Sequence, residues 1–437
     1  MVQQREEKMT IECGEEAREE FAFDESYRNL NHGSFGTFPI CVRDRLRAAQ
    51  DAMEARPDIY WRYSYRRTWD YQRAAIEKYL HAEPSTCVFV PNATTGINTV
   101  LRNLVYEKAD VIIYFSTIYG ACEKTVSYIT ETTPAVSRKI SYTYPCSDAS
   151  LLTAFEEMIK DVKSQGLNPK IAIFDTIVSL PGVRMPFESL TSLCRKHGIL
   201  SCIDGAHGVG HIPLNLSTLD PDFFVSNAHK WLYRNQHLIR SALPTSHGFL
   251  PRPDPNAERI NNPLPPSEAS EFLTLFRDVG TVDNSPYTCI TAALEWRDRI
   301  VWSEKGLRGE EAIFAYCMEQ AREAGKLIAG VLGTDVLENE EGTLTRCNFS
   351  NVRLPLDLAS MADGNTEKAI KIGQWIAETI AMEYNTFIAI ILHADSWWVR
   401  LSGQVYLTMA DWQYGADVLK EVCKRVKKGE WKEKEKS

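Results

Sequence analysis

The sequence has 437 residues, of which 44 % are hydrophobic and 24 % charged, so a single small domain is excluded and a large core is expected. The formal net charge of −9 argues against a nucleic-acid-binding protein, because phosphate contacts require a basic face. The eleven cysteines include no Cys-x-x-Cys pair, so the sequence predicts neither a disulfide framework nor a zinc site, and no other metal is expected. Small-molecule chemistry fits these properties better.

The N-terminal segment, residues 1–28, begins with MVQQREEKMTIECGEEAREE, which is charged throughout and contains no apolar core of a signal peptide. No later run is long enough and apolar enough to predict a bilayer-crossing helix. We therefore expect a protein of the reducing cytosol that has no membrane partner.

From about Thr86 onward, short apolar runs rich in β-branched residues alternate with longer stretches of helical period. The runs that predict strands are TCVFV, DVIIYF, KIAIFD, ILSCID and DFFV. The stretch SLTSLCRKHG predicts a helix that ends at a glycine after basic residues. Strands that are apolar throughout are typical of parallel sheets covered by helices on both faces. The sequence therefore predicts an α/β fold with an open, mostly parallel sheet.

The proline-rich stretch Arg252–Ser270 interrupts this alternation and predicts a loop or linker. Beyond it, helical patterns at Gly306–Leu332 and Lys368–Tyr384 frame the strand-like runs FSNVRL, FIAIIL and WWVRLS. This arrangement predicts a large domain over residues 29–295 and a smaller α+β domain over residues 296–426. Residues 427–437 are rich in charge and predict a solvated tail.

In an open α/β sheet, ligands bind in the crevice beyond the carboxyl ends of the strands. After TCVFV, the stretch PNATTGINTVL opens a helix, and the backbone N–H groups of Ala93, Thr94 and Thr95 could face an anion there. An ordinary threonine N-cap is the alternative interpretation. After ILSCI, Asp204 of DGAHGVGH is a carboxylate at a strand end, although it could merely cap the next helix. After DFFV, the stretch SNAHK supplies a cation, Lys230.

These three strand ends together offer an anion cradle, a carboxylate and a lysine, a combination more specific than any one of them. Pyridoxal 5′-phosphate requires these partners, since it has a phosphate, a protonatable ring nitrogen and an aldehyde. Its aldehyde would condense with Lys230, and Asp204 would hold the pyridine nitrogen protonated. The sequence therefore predicts a pyridoxal-phosphate-dependent enzyme.

Motifs along nearly the whole chain resemble those of the class V aminotransferase family of fold-type I pyridoxal-phosphate enzymes. In order, they are NLNHGSFGTFP, NATTG, DGAH, SNAHKWL, GTVDNSP and WWVRLSGQVY. The resemblance runs from roughly Asn29 to Val426. The branch that matches is that of isopenicillin N epimerase-like proteins, which include cysteine desulfhydrases and the fungal hercynylcysteine sulfoxide lyases.

Carried over position by position, the resemblance implies that Lys230 is the Schiff-base lysine and Asp204 the partner of the pyridine nitrogen. His207 would lie near the phenolic oxygen of the cofactor, and Tyr119 of TIYGAC would stack on its ring. The resemblance also implies phosphate contacts from Ser226 and His229.

The resemblance further implies the substrate contacts. Arg400 of WWVRLS would grip the substrate carboxylate, which a planar guanidinium can hold through two hydrogen bonds. Asn31 and His32 of NHGSFG would border the substrate. Thr281 of GTVDNSP would reach the phosphate of the neighbouring subunit, so a homodimer with shared active sites is implied.

One stretch departs from the family pattern. After HKWL, the family continues through a turn containing proline or glycine and an apolar strand before a block similar to RNQHLIRS. Here HKWLY runs directly into RNQHLIRSALPTSHGF, so we expect one strand after Lys230 to be missing or the sheet to close differently.

The resemblance implies chemistry at the Cα of an amino acid, and three functions remain open. A β-elimination at a C–S bond, of the cysteine-conjugate or hercynylcysteine sulfoxide type, ranks first. An aminotransferase or epimerase-like enzyme of a fungal secondary-metabolite pathway ranks second. A catalytically inactive scaffold with the same fold is the third.

Overall fold

The computed structural model describes residues 9–233, 237–241, 273, 276–277 and 283–432. Its strands are β1 (Ile11–Glu12), β2 (Arg28–Asn29), β3 (Cys87–Val90), β4 (Asp110–Phe115), β5 (Val136–Ile140), β6 (Asn168–Asp175), β7 (Ile177–Val178), β8 (Val183–Arg184), β9 (Leu200–Gly205), β10 (Phe223–Asn227), β11 (His237–Ser241), β12 (Ile300–Trp302), β13 (Leu307–Arg308), β14 (Phe349–Arg353), β15 (Thr386–Phe387), β16 (Ala389–His393) and β17 (Ser396–Ser402).

Helices cover much of the remaining described chain. In chain order they are α1 (Glu15–Glu19), α2 (His32–Phe35), α3 (Ile40–Ala55), α4 (Pro57–Ile59), α5 (Tyr65–Tyr79), α6 (Ala93–Arg102), α7 (Gly120–Thr132), α8 (Asp148–Ser164), α9 (Phe187–His197), α10 (Leu216–Leu219), α11 (Ala228–Trp231), α12 (Ile290–Asp298), α13 (Gly309–Leu332), α14 (Leu358–Ala362), α15 (Thr366–Tyr384) and α16 (Met409–Lys428). A π-helical turn joins α4 to α5, and 3₁₀ turns lie at Ser285–Thr288 and Ser303–Lys305.

The largest sheet has the strand order β3-β11-β10-β9-β6-β4-β5. Its pairs are parallel except for those of β11, which runs antiparallel to both of its neighbours. Every residue of β3, β4 and β10 is buried, because helices cover both faces of the sheet. The predicted α/β fold and its five apolar strands are therefore confirmed.

After Lys230 the sheet closes differently from the family pattern, which is the second of the two expected alternatives. The segment His237–Ser241 forms β11, which pairs with β10 on one side and with β3 on the other. The stretch HLIRS thus fills the position next to β10, and the sheet is continuous across it.

Local signals determine several helix ends. The side chain of Asn92 accepts a hydrogen bond from the N–H of Thr95 at the start of α6. Helix α9 ends at Gly198, whose φ of +70° lies in the left-handed region, as the sequence predicts. Helix α16 starts with a capping box between Thr408 and Asp411.

A second hydrophobic core involves the sheet β14-β17-β16 and the long helices α13, α15 and α16. The N-terminal segment contributes Ile11 and Phe21 to this core, because β1 pairs in parallel with β12. Trp431 of the predicted tail is also buried there, whereas its neighbours Lys427, Lys428 and Lys432 are exposed. The domain boundaries at residues 28, 295 and 426 stay predictions.

The predicted loop Arg252–Ser270 lies outside the described residues. Over the ranges that are described, no helix combines the length and the apolar character needed to cross a bilayer.

Candidate active site

The carboxyl ends of the parallel strands meet around a cavity of about 210 Å³. Of the residues that the sequence predicts for the site, those that line it are Ala93, Thr94, Tyr119, Asp204, His207, His229 and Lys230. The tertiary structure thus brings together groups that lie more than a hundred residues apart in the sequence.

Lys230 lies in α11, the short helix that directly follows β10. Its Nζ is 2.9 Å from Nε2 of His207. Burial, followed by the positive charge of Arg400, lowers the pKa of the Lys230 amine to about 7. A large fraction of the amine is therefore uncharged at neutral pH, which is the nucleophilic form.

Trp231 determines the tautomer of His207. The indole N–H, which can only donate, donates to Nδ1 of His207 at 3.2 Å. Burial, followed by the charge of Lys230, lowers the pKa of His207 well below its ordinary value, so the ring is neutral and carries its proton on Nε2. That N–H can donate to Lys230 only when the amine is neutral. Trp231, which fixes the tautomer, and His207 therefore both favour the uncharged form of the Lys230 amine.

Two carboxyl groups lie side by side at the ends of β6 and β9. Asp175 and Asp204 are direct neighbours in the strand register and are 5 % and 3 % exposed. Asp204 accepts hydrogen bonds from the N–H of Ala206 at 2.9 Å and from the thiol of Cys122 at 3.6 Å. Burial raises the pKa of Asp204, whereas burial and then the charge of Asp204 raise the pKa of Asp175 well above its usual range. Asp204 is therefore the carboxyl that carries the negative charge of the pair.

The anion cradle at the start of α6 is narrower than expected. The N–H of Thr95 donates to Oδ1 of Asn92 at 2.7 Å, and the N–H of Ala93 donates to Oδ1 of Asn227 at 3.1 Å. Of the three expected donors, the N–H of Thr94 is the one to which no described residue provides an acceptor. Two of the three N–H groups thus donate to asparagine side chains, and the prediction that all three face an anion stays a prediction.

Ser226 and His229 have different positions relative to the cavity. Ser226 is completely buried, and its hydroxyl donates to the carbonyl of Gly205. It does not line the cavity, although a phosphate contact was expected from it. His229 does line it. Burial, followed by the charge of Lys230, lowers the pKa of His229 to about 4, so its ring is neutral.

Arg400 lies immediately behind the cavity wall, where it is 1 % exposed. Its guanidinium donates to the carbonyl of Ser179 at 2.6 Å, to the hydroxyl of Ser34 at 2.8 Å and to Oδ1 of Asn31 at 3.1 Å. Its Nε has no hydrogen-bond partner, and within the described residues it forms no salt bridge. Burial without a nearby carboxylate lowers the pKa of Arg400 to about 10.

The structure does not bring His32 to the cavity. The ring is completely buried, its Nδ1 is 2.9 Å from the hydroxyl of Tyr406, and it packs beside Trp231. His32 does not line the cavity, so its contact with the substrate stays a prediction, whereas Asn31 lies next to Arg400. Thr281 lies outside the described residues.

The NHGSFG stretch approaches α11 so closely that one position requires glycine. Gly36 has a φ of +70°, and a Cβ at that position would lie 2.0 Å from the carbonyl oxygen of His229. Any other residue there would displace the backbone that carries Lys230.

Sequence reasoning missed several residues that line the cavity, namely Ser34, Asn92, Asp175, Ser179, Ala206 and Asn227. The position of Asp175, at the carboxyl end of KIAIFD, is the same signal that identifies Asp204. Asn92 immediately precedes a predicted helix, and Asn227 follows a predicted strand. Ser34 lies in the NHGSFG motif, of which Asn31 and His32 but not the serine were expected at the substrate.

The chain is similar to several known proteins along most of its length. The family model described as aminotransferase class-V matches residues 64–233. The L-cysteine desulfhydrase-like protein lolT1 of Epichloe uncinata is 37 % identical over 452 residues, which cover 95 % of this chain and 97 % of that protein. The hercynylcysteine sulfoxide lyase of Schizosaccharomyces pombe is 28 % identical over 426 residues, which cover 94 % of this chain and 98 % of that protein.

Among solved structures, the fold is similar to that of a C-DES mutant with glycine covalently linked to the PLP cofactor. The two chains superpose with a TM-score of 0.72 at 16 % sequence identity, and the match covers 92 % of this chain and 99 % of that one.

Proposed function

The chain belongs to the class V aminotransferase family of pyridoxal-phosphate-dependent enzymes, and from this membership we propose that it is a C–S lyase acting on a cysteine-type amino acid. For a thioether substrate, the reaction consumes one water and yields a thiol, pyruvate and ammonium. For a sulfoxide, a sulfenic acid leaves in place of the thiol. The names of the relatives described above, a cysteine desulfhydrase-like protein and a sulfoxide lyase, support this class of reaction.

The cavity residues fit pyridoxal phosphate. The neutral amine of Lys230 suits an aldehyde, and the charged Asp204 suits a protonated ring nitrogen. The N–H of Thr94, for which no described residue provides an acceptor, lies at the N-terminus of a ten-residue helix and suits a phosphate. The exposed ring of Tyr119 lines the same space and is the proposed platform for the cofactor ring.

When bound, pyridoxal phosphate withdraws electrons from the Cα of an attached amino acid and so weakens the bond to its α-proton. Lys230 is the proposed base for that proton, because its pKa of about 7 lets the amine act as a base at neutral pH. His207 orients this amine through its Nε2 proton, and Asp204 stabilises positive charge on the cofactor ring. The tautomer of His207 and the charge of Asp204 therefore both favour transfer of the α-proton to Lys230.

The observation that carries the proposal is the guanidinium of Arg400, which is buried close to Lys230 and forms no salt bridge within the described residues. A buried cation without a counter-ion favours an anionic ligand, and a substrate α-carboxylate is such an anion. The contacts of Arg400 with Ser34 and Ser179, which line the cavity, would be exchanged for the carboxylate. Asn31 would then hold the remaining guanidinium N–H in place.

The positions of the cysteines support direct release of the sulfur product. All eleven cysteines lie within the described residues, and none of them lines the cavity. Cys122 contacts Asp204, and burial, followed by the charge of that carboxylate, raises the pKa of its thiol far above the ordinary value. A protonated, buried thiol is a poor acceptor for sulfur, so transfer to an enzyme cysteine is disfavoured.

Product analysis tests the proposal. The holoenzyme is incubated in deuterated water with cysteine, cysteine S-conjugates, their sulfoxides and a panel of sulfur-free amino acids. Pyruvate and ammonia formed from the sulfur compounds alone support the lyase. Inversion with solvent exchange and no pyruvate would identify an epimerase, and a keto acid formed only with an added amino acceptor would identify an aminotransferase. No turnover and no bound cofactor would identify an inactive scaffold.

The family resemblance also supports a homodimer in which Thr281 of each subunit reaches the neighbouring site, and a cytosolic location. Sedimentation of the holoenzyme tests the first part, because a fully active monomer would exclude shared sites.

A further inference from the structure

Arg297 of α12 holds the backbone of α11, the short helix that carries Lys230. Its Nη1 donates to the carbonyl of Trp231 at 2.7 Å. Because α11 has only four residues, its last carbonyls have no partner within the helix. The guanidinium therefore binds a carbonyl of α11, one residue after Lys230, that the helix itself leaves without a donor.

Further contacts fix the guanidinium of Arg297. It is completely buried, and its Nε and Nη2 donate to the two carboxylate oxygens of Glu310. Its Nη2 also donates to the carbonyl of Gly210 at 3.2 Å. Burial acts to lower the pKa of Arg297, but the charge of Glu310 holds that pKa above its ordinary value. The planar fork thus stays charged and has one orientation.

Two neighbouring residues define this arrangement more closely. The hydroxyl of Tyr79 donates to Oε2 of Glu310 at 2.8 Å, which anchors the carboxylate to the end of α5. Gly210 has a φ of +77°, and a Cβ at that position would lie 2.6 Å from the carbonyl oxygen of Trp231. The chain at Gly210 therefore packs directly on the backbone that Arg297 holds.

Trp231 connects this backbone contact to the cavity. Its carbonyl accepts a hydrogen bond from Arg297, and its indole N–H donates to Nδ1 of His207 at 3.2 Å. The indole contact determines the tautomer of His207, whose Nε2 is 2.9 Å from the amine of Lys230. A distance of 3.2 Å is near the upper end of the usual range, so a small displacement of Trp231 would break the indole contact.

The groups that face the amine of Lys230 differ from those that contact Arg297. The charged and titratable side chains that face the amine are Arg400, Asp204, Asp175, His207 and His229. The charge of Arg297 is paired with Glu310, and its other hydrogen bonds go to backbone carbonyls. We therefore expect Arg297 to affect the position of α11 and not to act on Lys230 as a charge.

We propose that Arg297 is a positioning residue for Lys230, because it holds the backbone of Trp231 where the indole fixes the tautomer of His207. This inference rests on the proposed role of Lys230, which borohydride mapping tests separately.

A double-mutant cycle on the full-length apo-protein tests the proposal. Uptake of pyridoxal phosphate is followed by absorbance over a range of pH. Arg297→Lys keeps the charge but loses the fork, so the profile should shift to higher pH by about 0.4–1 unit, which is the loss of one hydrogen bond expressed as a pKa shift. When Trp231→Phe is already present, Arg297→Lys should cause no further shift, because the indole N–H that transmits the effect is absent.

Arg73→Lys is the matched control. Arg73 is also buried and pairs with Glu77 within α5. Urea unfolding should show a loss of stability in both arginine variants, whereas the pH profile should move in Arg297→Lys alone. Tyr79→Phe is a milder second variant for the case that Arg297→Lys does not fold. It removes only the hydroxyl that anchors Glu310, so its profile should shift in the same direction by a smaller amount.

Three results would overturn the positioning role. One is an unchanged profile in both Arg297→Lys and Tyr79→Phe. Another is a shift of the same size with and without the indole of Trp231, which would mean that Arg297 reaches Lys230 by another route. The third is an equal shift in Arg73→Lys, which would make the effect one of general stability. If the unmodified protein carries no pyridoxyl group on Lys230 after reduction, the proposed role of Lys230 fails instead.

Discussion

The indole N–H of Trp231 donates to Nδ1 of His207, and this contact leaves the imidazole proton on the nitrogen that faces Lys230. Nε2 of His207 can then donate a hydrogen bond to a neutral lysine but cannot accept one from a charged lysine. The hydrogen bond therefore favours the reactive form of Lys230, although Trp231 itself does not line the cavity.

Trp231→Phe should raise the pKa of Lys230, because Nε2 of His207 can then accept a hydrogen bond from the charged amine. The pH profile for cofactor uptake by the apo-protein, followed by absorbance, should shift to higher pH. Turnover at neutral pH should fall about two- to tenfold, which corresponds to the loss of one hydrogen bond of about 0.5–1.5 kcal/mol.

Trp296→Phe is the matched control for that variant. Trp296 is equally buried, but its N–H has no hydrogen-bond partner among the described residues, so its pH profile should not move. An unchanged profile in Trp231→Phe, with normal folding, would contradict the role of Trp231 as a positioning residue.

Lys230 should be the residue that binds the cofactor covalently. The purified protein should be yellow, and borohydride reduction followed by peptide mapping should place a pyridoxyl group on Lys230. Lys230→Ala should carry none, whereas Lys139→Ala, which removes an exposed lysine, should carry as much as the unmodified protein. An adduct mapped to any other lysine would remove the central assignment.

Several elements of the fold could be predicted because local signals agree with burial. The strands that contain Val88, Ile113 and Val225 are apolar on both faces, and the sheet buries both faces. The sequence alone also places Lys230 and Asp204 at the cavity, because each directly follows or ends such a strand; their roles stay predictions.

Other features could not be predicted, because they depend on distant parts of the chain. The parallel pairing of Ile11 with Ile300 joins the N-terminal segment to the second core, and no local pattern encodes it. His32 stands in a motif typical of a substrate site, yet its ring packs beside Trp231. The N–H groups of Ala93 and Thr95 lie at the start of the helix as expected, but they donate hydrogen bonds to two asparagine side chains.

Asp175 should destabilise the apo-protein as the pH rises. Its pKa is raised in the folded state, so between the unfolded pKa and the folded pKa the folded protein holds a proton that the unfolded chain has lost. Stability contributed by this proton is present below the unfolded pKa and is lost as the pH rises through the folded pKa. In Asp175→Asn the free energy of unfolding should therefore fall less steeply as the pH rises. At neutral pH this variant should be more stable than the unmodified protein.

Urea unfolding of the apo-protein at several pH values measures this effect. If the free energy of unfolding of Asp175→Asn changes with pH as steeply as that of the unmodified protein, Asp175 does not bind a proton over the pH values tested.

Asp204→Ala removes the carboxyl that carries the charge. This variant should retain cofactor binding but lose turnover, because an unprotonated ring nitrogen withdraws electrons poorly.

Arg400 should act in two separable ways, as a charge near Lys230 and as a planar fork for the substrate carboxylate. Arg400→Lys keeps the charge but loses the fork, so kcat/KM should fall about ten- to a hundredfold for every amino-acid substrate, which corresponds to roughly 1.5–3 kcal/mol. Arg400→Gln also removes the charge that lowers the pKa of Lys230, so its pH profile should shift to higher pH, whereas that of Arg400→Lys should not. Arg102→Lys, at an exposed helix position, is the control and should be neutral. If Arg400→Lys is as active as Arg102→Lys, the carboxylate does not bind at Arg400. If both Arg400 variants keep the original pH profile, the guanidinium does not control the protonation of Lys230.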